Sequence, residues 1–416
     1  MKILHLNSTE ISGGAGLAAN RLHKGLQHAG LQSRMLVNHK KTDDWSIYDP
    51  DTRIKRFINR LRSLQDVLPL QLYSSRKQTP FSSGLATKAD IRKIYEFDPD
   101  IVHMHWIGNG FFSIENFKKI GKPIFWTFHD MWPFTGGCHY DEDCGKYETH
   151  CGACPQLESQ KSHDLAYKVF KRKIRSWEEI GITVVTPSHW LANCARKSVL
   201  FRNNEIHVIP NGLDLETYKP TNKEVARELW SLSKEKKYIL FGAINATSAK
   251  RKGLHILNQA LKILSNVIKD NSVELIIFGA TNPEIPVDYG FKVNYMGELQ
   301  DDVSLVSLYS AVDVFVAPST QDNLPNTVIE SMSCSVPAVA FNIGGMPDMI
   351  DHMENGYLAE PFSPDDLANG INWVLESSDR YRQLSESALH KVRNSFSLKN
   401  SVEQYNNLYS SLLSKS

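Results

Sequence analysis

The sequence predicts an α/β protein made of two doubly wound parallel-sheet domains in tandem. Three observations carry this expectation. Short apolar runs alternate with amphipathic helical patterns along most of the chain, the order that yields a parallel sheet covered on both faces. The rhythm restarts after a polar link at residues 214–224. The length of 416 residues exceeds what one hydrophobic core usually supports.

The first half opens with KILHLN (2–7), which reads as a buried strand, then a glycine turn and a helix over 15–29 with Leu17, Ala18, Leu22 and Leu26 at helical spacing. Further strands are expected at 33–37, 100–106, 123–130, 183–188 and 206–212, with a helix over 164–180. In the second half, strands are expected at 238–243, 273–280, 312–319 and 337–342. Helices should cover 252–268, 301–311, 326–333 and 398–413. Domain boundaries follow: an N-terminal domain at 1–212, a C-terminal one at 213–396, and a last helix at 397–416 expected to pack back on the first.

Lys and Arg number 47 against 46 Asp and Glu, a formal charge of +1, which excludes a bulk basic field for nucleic acid. The N-terminal apolar run is too short for a signal peptide, and no run approaches the ~18 apolar residues of a membrane-spanning helix. A cytoplasmic protein is expected, in which structural disulfides are rare.

Ligands of such sheets bind beyond the C-terminal ends of the strands. After the first strand comes SGGAG (12–16), where glycines let backbone approach a ligand at a helix start; the plain alternative is a packing turn. Asn38 and His39, ending the second strand, offer no acidic hook for a ribose. In the second half, TQDNLPNTVIESM (320–332) sets Asp322 in a loop and Glu330 in the first turns of a helix. A helix-borne carboxylate can accept both hydroxyls of a ribose. The alternative is a cap and a solvated helix residue. Lys250, Arg251 and Lys252 precede a helix after the strand at 238–243, a position suited to a diphosphate.

These segments resemble the retaining family 4 glycosyltransferases over nearly the whole chain. The resemblance rests on SGGAG, TFHD (127–130), TPSHW (186–190), VIPNGLD (208–214), RKG (251–253), YMGELQ (295–300) and above all PSTQDNLPNTVIESMSCSVPAVAF (318–341), which looks like the family's pair of acids with seven residues between them. It implies a GT-B fold, two Rossmann-like domains facing a central cleft, the first for the acceptor and the second for a nucleoside-diphosphate sugar. Glu330 would hold the ribose. Asp322 and backbone around Asn323 and Asn326 would meet the transferred sugar. Lys252, helped by Arg251, would neutralise the diphosphate. His129 would position a sugar hydroxyl, and Gly14 would approach the phosphates.

Three departures stand out. The first acid is Asp rather than Glu, Gly242-Ala243 replaces a family Gly-Arg, and Asn323-Leu324-Pro325 replaces Gly-Phe-Gly. The implied reaction retains the anomeric configuration by a front-face route, in which the departing phosphate helps take the acceptor proton. No catalytic metal is expected: Asp98-Pro99-Asp100 enters a strand from its wrong end, and Asp141-Glu142-Asp143 lies elsewhere. Resemblance is closest to transferases of bacterial surface and exopolysaccharide assembly. Rival readings are a sugar-nucleotide epimerase, for which no acid–base pair is evident, and a metal-bearing binding protein on a degenerate enzyme fold.

Two stretches stand apart. FTGGCHYDEDCGKYETHCGACPQL (134–157) holds Cys138, Cys144, Cys151 and Cys154, four of six cysteines, spaced C-x5-C-x6-C-x2-C. Four thiolates suit a closed structural zinc site, with His139 and His150 as substitute ligands; packing thiols and redox pairs are the alternatives. RIKRFINRLRSLQDVL (53–68) spaces Ile54, Phe57, Ile58, Leu61 and Leu64 on one helical face among Arg53, Lys55, Arg56, Arg60 and Arg62. Such a helix can lie on an anionic membrane surface and would suit a saccharide acceptor carried on lipid; the alternative is a helix covering the first domain.

Overall fold

A computed structural model describes residues 1–49, 61–85, 91–242, 249–299 and 301–414. The chain divides into two compact units: Met1–Pro210 with the residues from Ser401 on, and Asn211–Asn400.

The first unit is built on a seven-stranded sheet: β1 (Lys2–Leu6), β2 (Gln32–Leu36), β3 (Ile47–Tyr48), β4 (Ile101–Met104), β5 (Ile124–Thr127), β6 (Ile182–Thr186) and β7 (Ile206–Val208). All neighbours pair in parallel, in the order β3-β2-β1-β4-β5-β6-β7, so the winding reverses between β1 and β4. The inner strands β1, β4, β5 and β6 are short and largely buried, and their alternate residues feed different layers. Leu4, Leu6, Val102, Met104 and Trp126 enter one apolar core with Phe117, Trp177 and Phe201. The residues between them, His5, His103 and Phe125, meet Tyr405 and Tyr409 of the last helix, Leu398–Leu413, or each other.

The second unit repeats the plan with β8 (Lys237–Gly242), β9 (Val273–Phe278), β10 (Lys292–Tyr295), β11 (Val314–Ala317), β12 (Ala338–Phe341) and β13 (Gly356–Ala359), all parallel, in the order β10-β9-β8-β11-β12-β13. Tyr238, Leu240 and Ile276 point into one core while Ile239, Phe241, Leu275 and Ile277 point into the other. Apolar side chains on both faces of each strand are what a sheet covered on both sides requires. With two parallel sheets of this kind, the fold class is the expected one.

The expected strands appear, β2 and β8 shifted by one residue and the others shorter by one to four. Sequence reading missed β3, β10 and β13, and overextended β7. All four lie at sheet edges, where one side lacks a neighbouring strand and the continuous apolar run disappears. The segment 134–157 is likewise no appendage. Phe134, Cys138, Tyr147, Cys151, Cys154 and Leu157 are buried in the first unit's core, because the insert carries enough apolar surface to be packed rather than projected. Of the amphipathic stretch at 53–68, residues 53–60 lie outside the described part. Residues 61–67 are helical, with Leu61 and Leu64 exposed. Among the described residues no helix is long and apolar enough to cross a membrane.

Candidate functional site

In the second unit the expected site residues gather where the winding reverses, between β8 and β11. The short turn Lys250–Lys252 lies beyond β8, and the loop carrying Asp322 follows β11. Backbone joins them directly: Thr320 N–H donates to the Arg251 carbonyl at 2.8 Å. Two glycines make the approach close enough. Gly253 has φ +76°, and a Cβ there would collide with the Pro318 carbonyl; Gly344 has φ +55°, and a Cβ there would strike the Asp322 carbonyl.

The Asp322 carboxylate is the hub. Its Oδ2 lies 2.7 Å from Lys252 Nζ and 3.1 Å from Arg251 Nη1, and accepts from Ser319 Oγ at 3.1 Å. Burial pushes the Asp322 pKa up, but Lys252 and Arg251 more than offset it and hold the carboxyl well below the usual carboxylate range. Burial also lowers the Lys252 pKa, against the pull of Asp322. Asp322 thus fixes the position of both cations. That link was invisible in the sequence; the family resemblance directed the acid to the sugar and the cations to the diphosphate separately.

Asn323 and Asn326 follow in the same loop and helix start; Asn323 is buried, its N–H 3.1 Å from Asp322 Oδ1, and Asn326 Oδ1 accepts from Asn211 Nδ2 at 3.2 Å. Glu330 sits one turn on in the helix Asn326–Ser333, 3% exposed, with Tyr309 O–H donating to its Oε2 at 3.2 Å. A solvated helix residue, the plain alternative for Glu330, is therefore ruled out. Loop residues 243–248 lie outside the described part.

Gly14 and His129 belong to the first unit. Gly14 is exposed in the first turn of the helix Gly13–His28, after β1. His129 follows β5, and its Nε2 lies 3.1 Å from Nδ1 of His105. Burial lowers its pKa to about 4, with Asp130 opposing. Asp130 turns the other way: its Oδ2 lies 2.7 Å from His139 Nδ1, whose Nε2 is 2.9 Å from Ser82 Oγ. Both ring nitrogens of His139 are thereby hydrogen-bonded.

The four insert cysteines are reduced and influence one another electrostatically; burial raises all four thiol pKa values, that of Cys151 to about 12. Among the described residues, the set of three metal-ligating groups within 4.8 Å of one another is instead His5, His103 and His105. Sequence reading missed this set. The signal was available: histidines two apart in DIVHMHW share one face of a strand.

Matches to known proteins agree with this layout. Residues 12–217 match the family described as Glycosyltransferase Family 4, and residues 235–377 match Glycosyl transferases group 1. The chain is a family 4 glycosyltransferase. This glycosyltransferase is 23% identical over 363 residues to a putative colanic acid biosynthesis glycosyl transferase of Escherichia coli K12, covering 82% of the chain and 83% of the relative. It is 24% identical over 273 residues to the UDP-Gal:alpha-D-GlcNAc-diphosphoundecaprenol alpha-1,3-galactosyltransferase of Escherichia coli, covering 59% and 67%. Among solved structures, Anabaena HepE in complex with UDP-glucose superposes with a TM-score of 0.62 at 17% identity, covering 99% of this chain and 100% of the other. The fold is GT-B.

Proposed function

We propose that this glycosyltransferase moves a sugar from a nucleoside diphosphate to an acceptor hydroxyl with retention of configuration, in the assembly of a surface or exported polysaccharide. The observation that carries the reading is the Arg251–Lys252 pair, positioned by Asp322 at the switch point of the second sheet. Aligned cations at that place stabilise the charge that develops on a departing diphosphate. Buried Glu330 on the adjoining helix supports ribose binding through charge-assisted hydrogen bonds. Asn323 and Asn326 flank the place of the transferred sugar, and His129 meets one of its hydroxyls. Gly14 is assigned to the phosphates by the family resemblance. The E. coli relatives, named for colanic acid synthesis and for a diphosphoundecaprenol acceptor, support a polysaccharide or lipid-linked saccharide as acceptor; the UDP-glucose complex of Anabaena HepE supports a nucleotide-sugar donor. Work on lipid-linked acceptors would place the enzyme at the inner face of the membrane. Family membership favours transfer over epimerisation.

A panel of nucleoside-diphosphate sugars, screened by thermal shift, should contain one that raises the melting temperature markedly. Glu330→Ala should weaken that donor about 10–100-fold, the loss of charged hydrogen bonds worth roughly 1.5–3 kcal/mol, while the free protein still melts cooperatively. Undiminished donor affinity in Glu330→Ala would defeat the donor-site assignment. Acceptor-dependent release of nucleoside diphosphate separates transfer from epimerisation.

A structural metal in the insert is part of the same reading. The four-sulfur donor set supports it, and Gly152 and Ala153 both take positive φ in the Cys151–Cys154 turn. Cys138, Cys144, Cys151 and Cys154 would hold the ion as thiolates, and its charge would oppose the upward shift that burial imposes. Protein purified without chelator should contain about one zinc per chain; less than about half that amount counts against the site.

A further inference from the structure

Three histidines stand in file through the first unit. His5 Nδ1 lies 3.0 Å from His105 Nε2, and His105 Nδ1 lies 3.1 Å from His129 Nε2. Adjacent rings are close to parallel, with interplanar angles of 22° and 25°. Topology explains the file. His5 is in the middle of the reversal, on β1; His105 follows β4, its neighbour; His129 follows β5, the next strand across. The neighbouring rings are satisfied elsewhere. His103 bonds Thr127 Oγ1 at 2.7 Å and Tyr409 O–H at 2.6 Å, and His23 bonds Ser33 Oγ at 2.7 Å and Ser46 Oγ at 2.9 Å.

A metal at His5, His103 and His105 is the competing account. It would have to break the hydrogen bonds of His103 to Thr127 and Tyr409 and the contact between His5 and His105, and the His103 and His105 rings face one another with centroids 4.2 Å apart. As they stand, both ring nitrogens of His105 are used within the file and both of His103 by Thr127 and Tyr409.

The protons in the file run in one direction. A neutral imidazole carries one N–H, and each contact needs one donor and one acceptor. Among the described residues, buried His5 Nε2 has no hydrogen-bond partner. Were His5 protonated there, a buried N–H would be stranded, which folded proteins avoid more strictly than an unfilled acceptor. His5 is therefore the Nδ1–H tautomer and donates to His105 Nε2. His105 then carries its proton on Nδ1 and donates to His129 Nε2.

We propose that His5 and His105 are positioning residues that fix His129 as its Nδ1–H tautomer, with Nε2 filled as an acceptor. His129 then meets any oxygen at Nδ1, of protein or substrate, as a donor, and cannot take up a proton at Nε2. Burial keeps all three rings neutral at ordinary pH, since it lowers each pKa. The consequence for transfer rests on the proposed placing of His129 at a sugar hydroxyl; the tautomer itself does not.

The test is nitrogen-15 NMR of the full-length chain labelled at histidine, with steady-state kinetics beside it. Wild type should show His129 with a pyrrole-type Nδ1 and a pyridine-type Nε2. His105→Leu should shift His129 toward the other tautomer and lower kcat about tenfold, one hydrogen bond's worth, with little change in donor KM. His105→Asn, whose amide N–H can stand in for Nδ1–H, should restore the wild-type tautomer and most of the rate. A protonated Nε2 on wild-type His129 overturns the proposal, as does an unchanged His129 spectrum in folded His105→Leu. If His105→Leu does not fold, the wild-type spectrum and that of His5→Phe decide. Full transfer by His129→Ala with the expected wild-type tautomer would leave the file standing and defeat only the role given to His129 in transfer.

Discussion

Asp322 shows how one residue can carry a role that its sequence position hides. The sequence marks it as one of two acids flanking a helix start, and the family resemblance directs it to the sugar. Only the folded chain shows its carboxylate bonded to Lys252, seventy positions away along the chain, and to Arg251 beside it. Removing its charge should therefore disorder the cations as well as lose a contact. Asp322→Asn should cost about 1.5–3 kcal/mol of stability at neutral pH. The depressed carboxyl stabilises the fold fully above its unfolded pKa near 4 and loses that contribution as pH falls through the folded value. The wild-type advantage over Asp322→Asn in urea unfolding should thus shrink below about pH 4. An advantage that persists unchanged into strong acid would show that the ion pairs contribute nothing.

At the scale of elements, the helix Leu398–Leu413 is the clearest case of position set by polar contacts within an apolar pattern. Its Tyr405 and Tyr409 are buried, and their hydroxyls lie 2.8 Å from Thr127 Oγ1 and 2.6 Å from His103 Nδ1. Tyr409→Phe keeps the ring and strands His103 Nδ1, so it should destabilise the first unit by about 1–3 kcal/mol. Tyr409→Phe with His103→Phe should recover part of that loss, since both polar partners are then gone; no recovery would mean the cost lies in packing. Helix and strand periodicity made this helix legible. Its partner could not be read, because nothing in residues 398–413 names a histidine on β4. The edge strands β3, β10 and β13 escaped for a different reason: with one free side they need no apolar run.

Across the whole molecule, the histidines buried in the first unit create an acid sensitivity that the near-neutral net charge conceals. Burial depresses His5 and His105 well below the usual range, His23 and His129 to about 4 and His103 to about 3. Unfolded chains take up protons at these groups near pH 6.5 while the native chain does not, so stability should fall as pH drops from about 6.5 toward 4. Melting temperature measured from pH 8 to pH 4 should decline steeply over that window, and a flat profile would contradict neutral buried rings.

By itself the sequence determined two parallel α/β units, their order and most of their inner strands, because burial on both faces writes an apolar run into each. It also determined the glycosyltransferase family, through local segments such as PSTQDNLPNTVIESM, whose residues lie close along the chain. The tertiary structure alone decided what each charge and ring is bonded to. Asp322 meets Lys252 and Arg251, Glu330 meets Tyr309, and His5, His105 and His129 fall into file, because parallel strands bring distant residues side by side. Hydrogen-bond direction and pKa depend on those neighbours, and neighbours across a sheet leave no periodic trace in the chain.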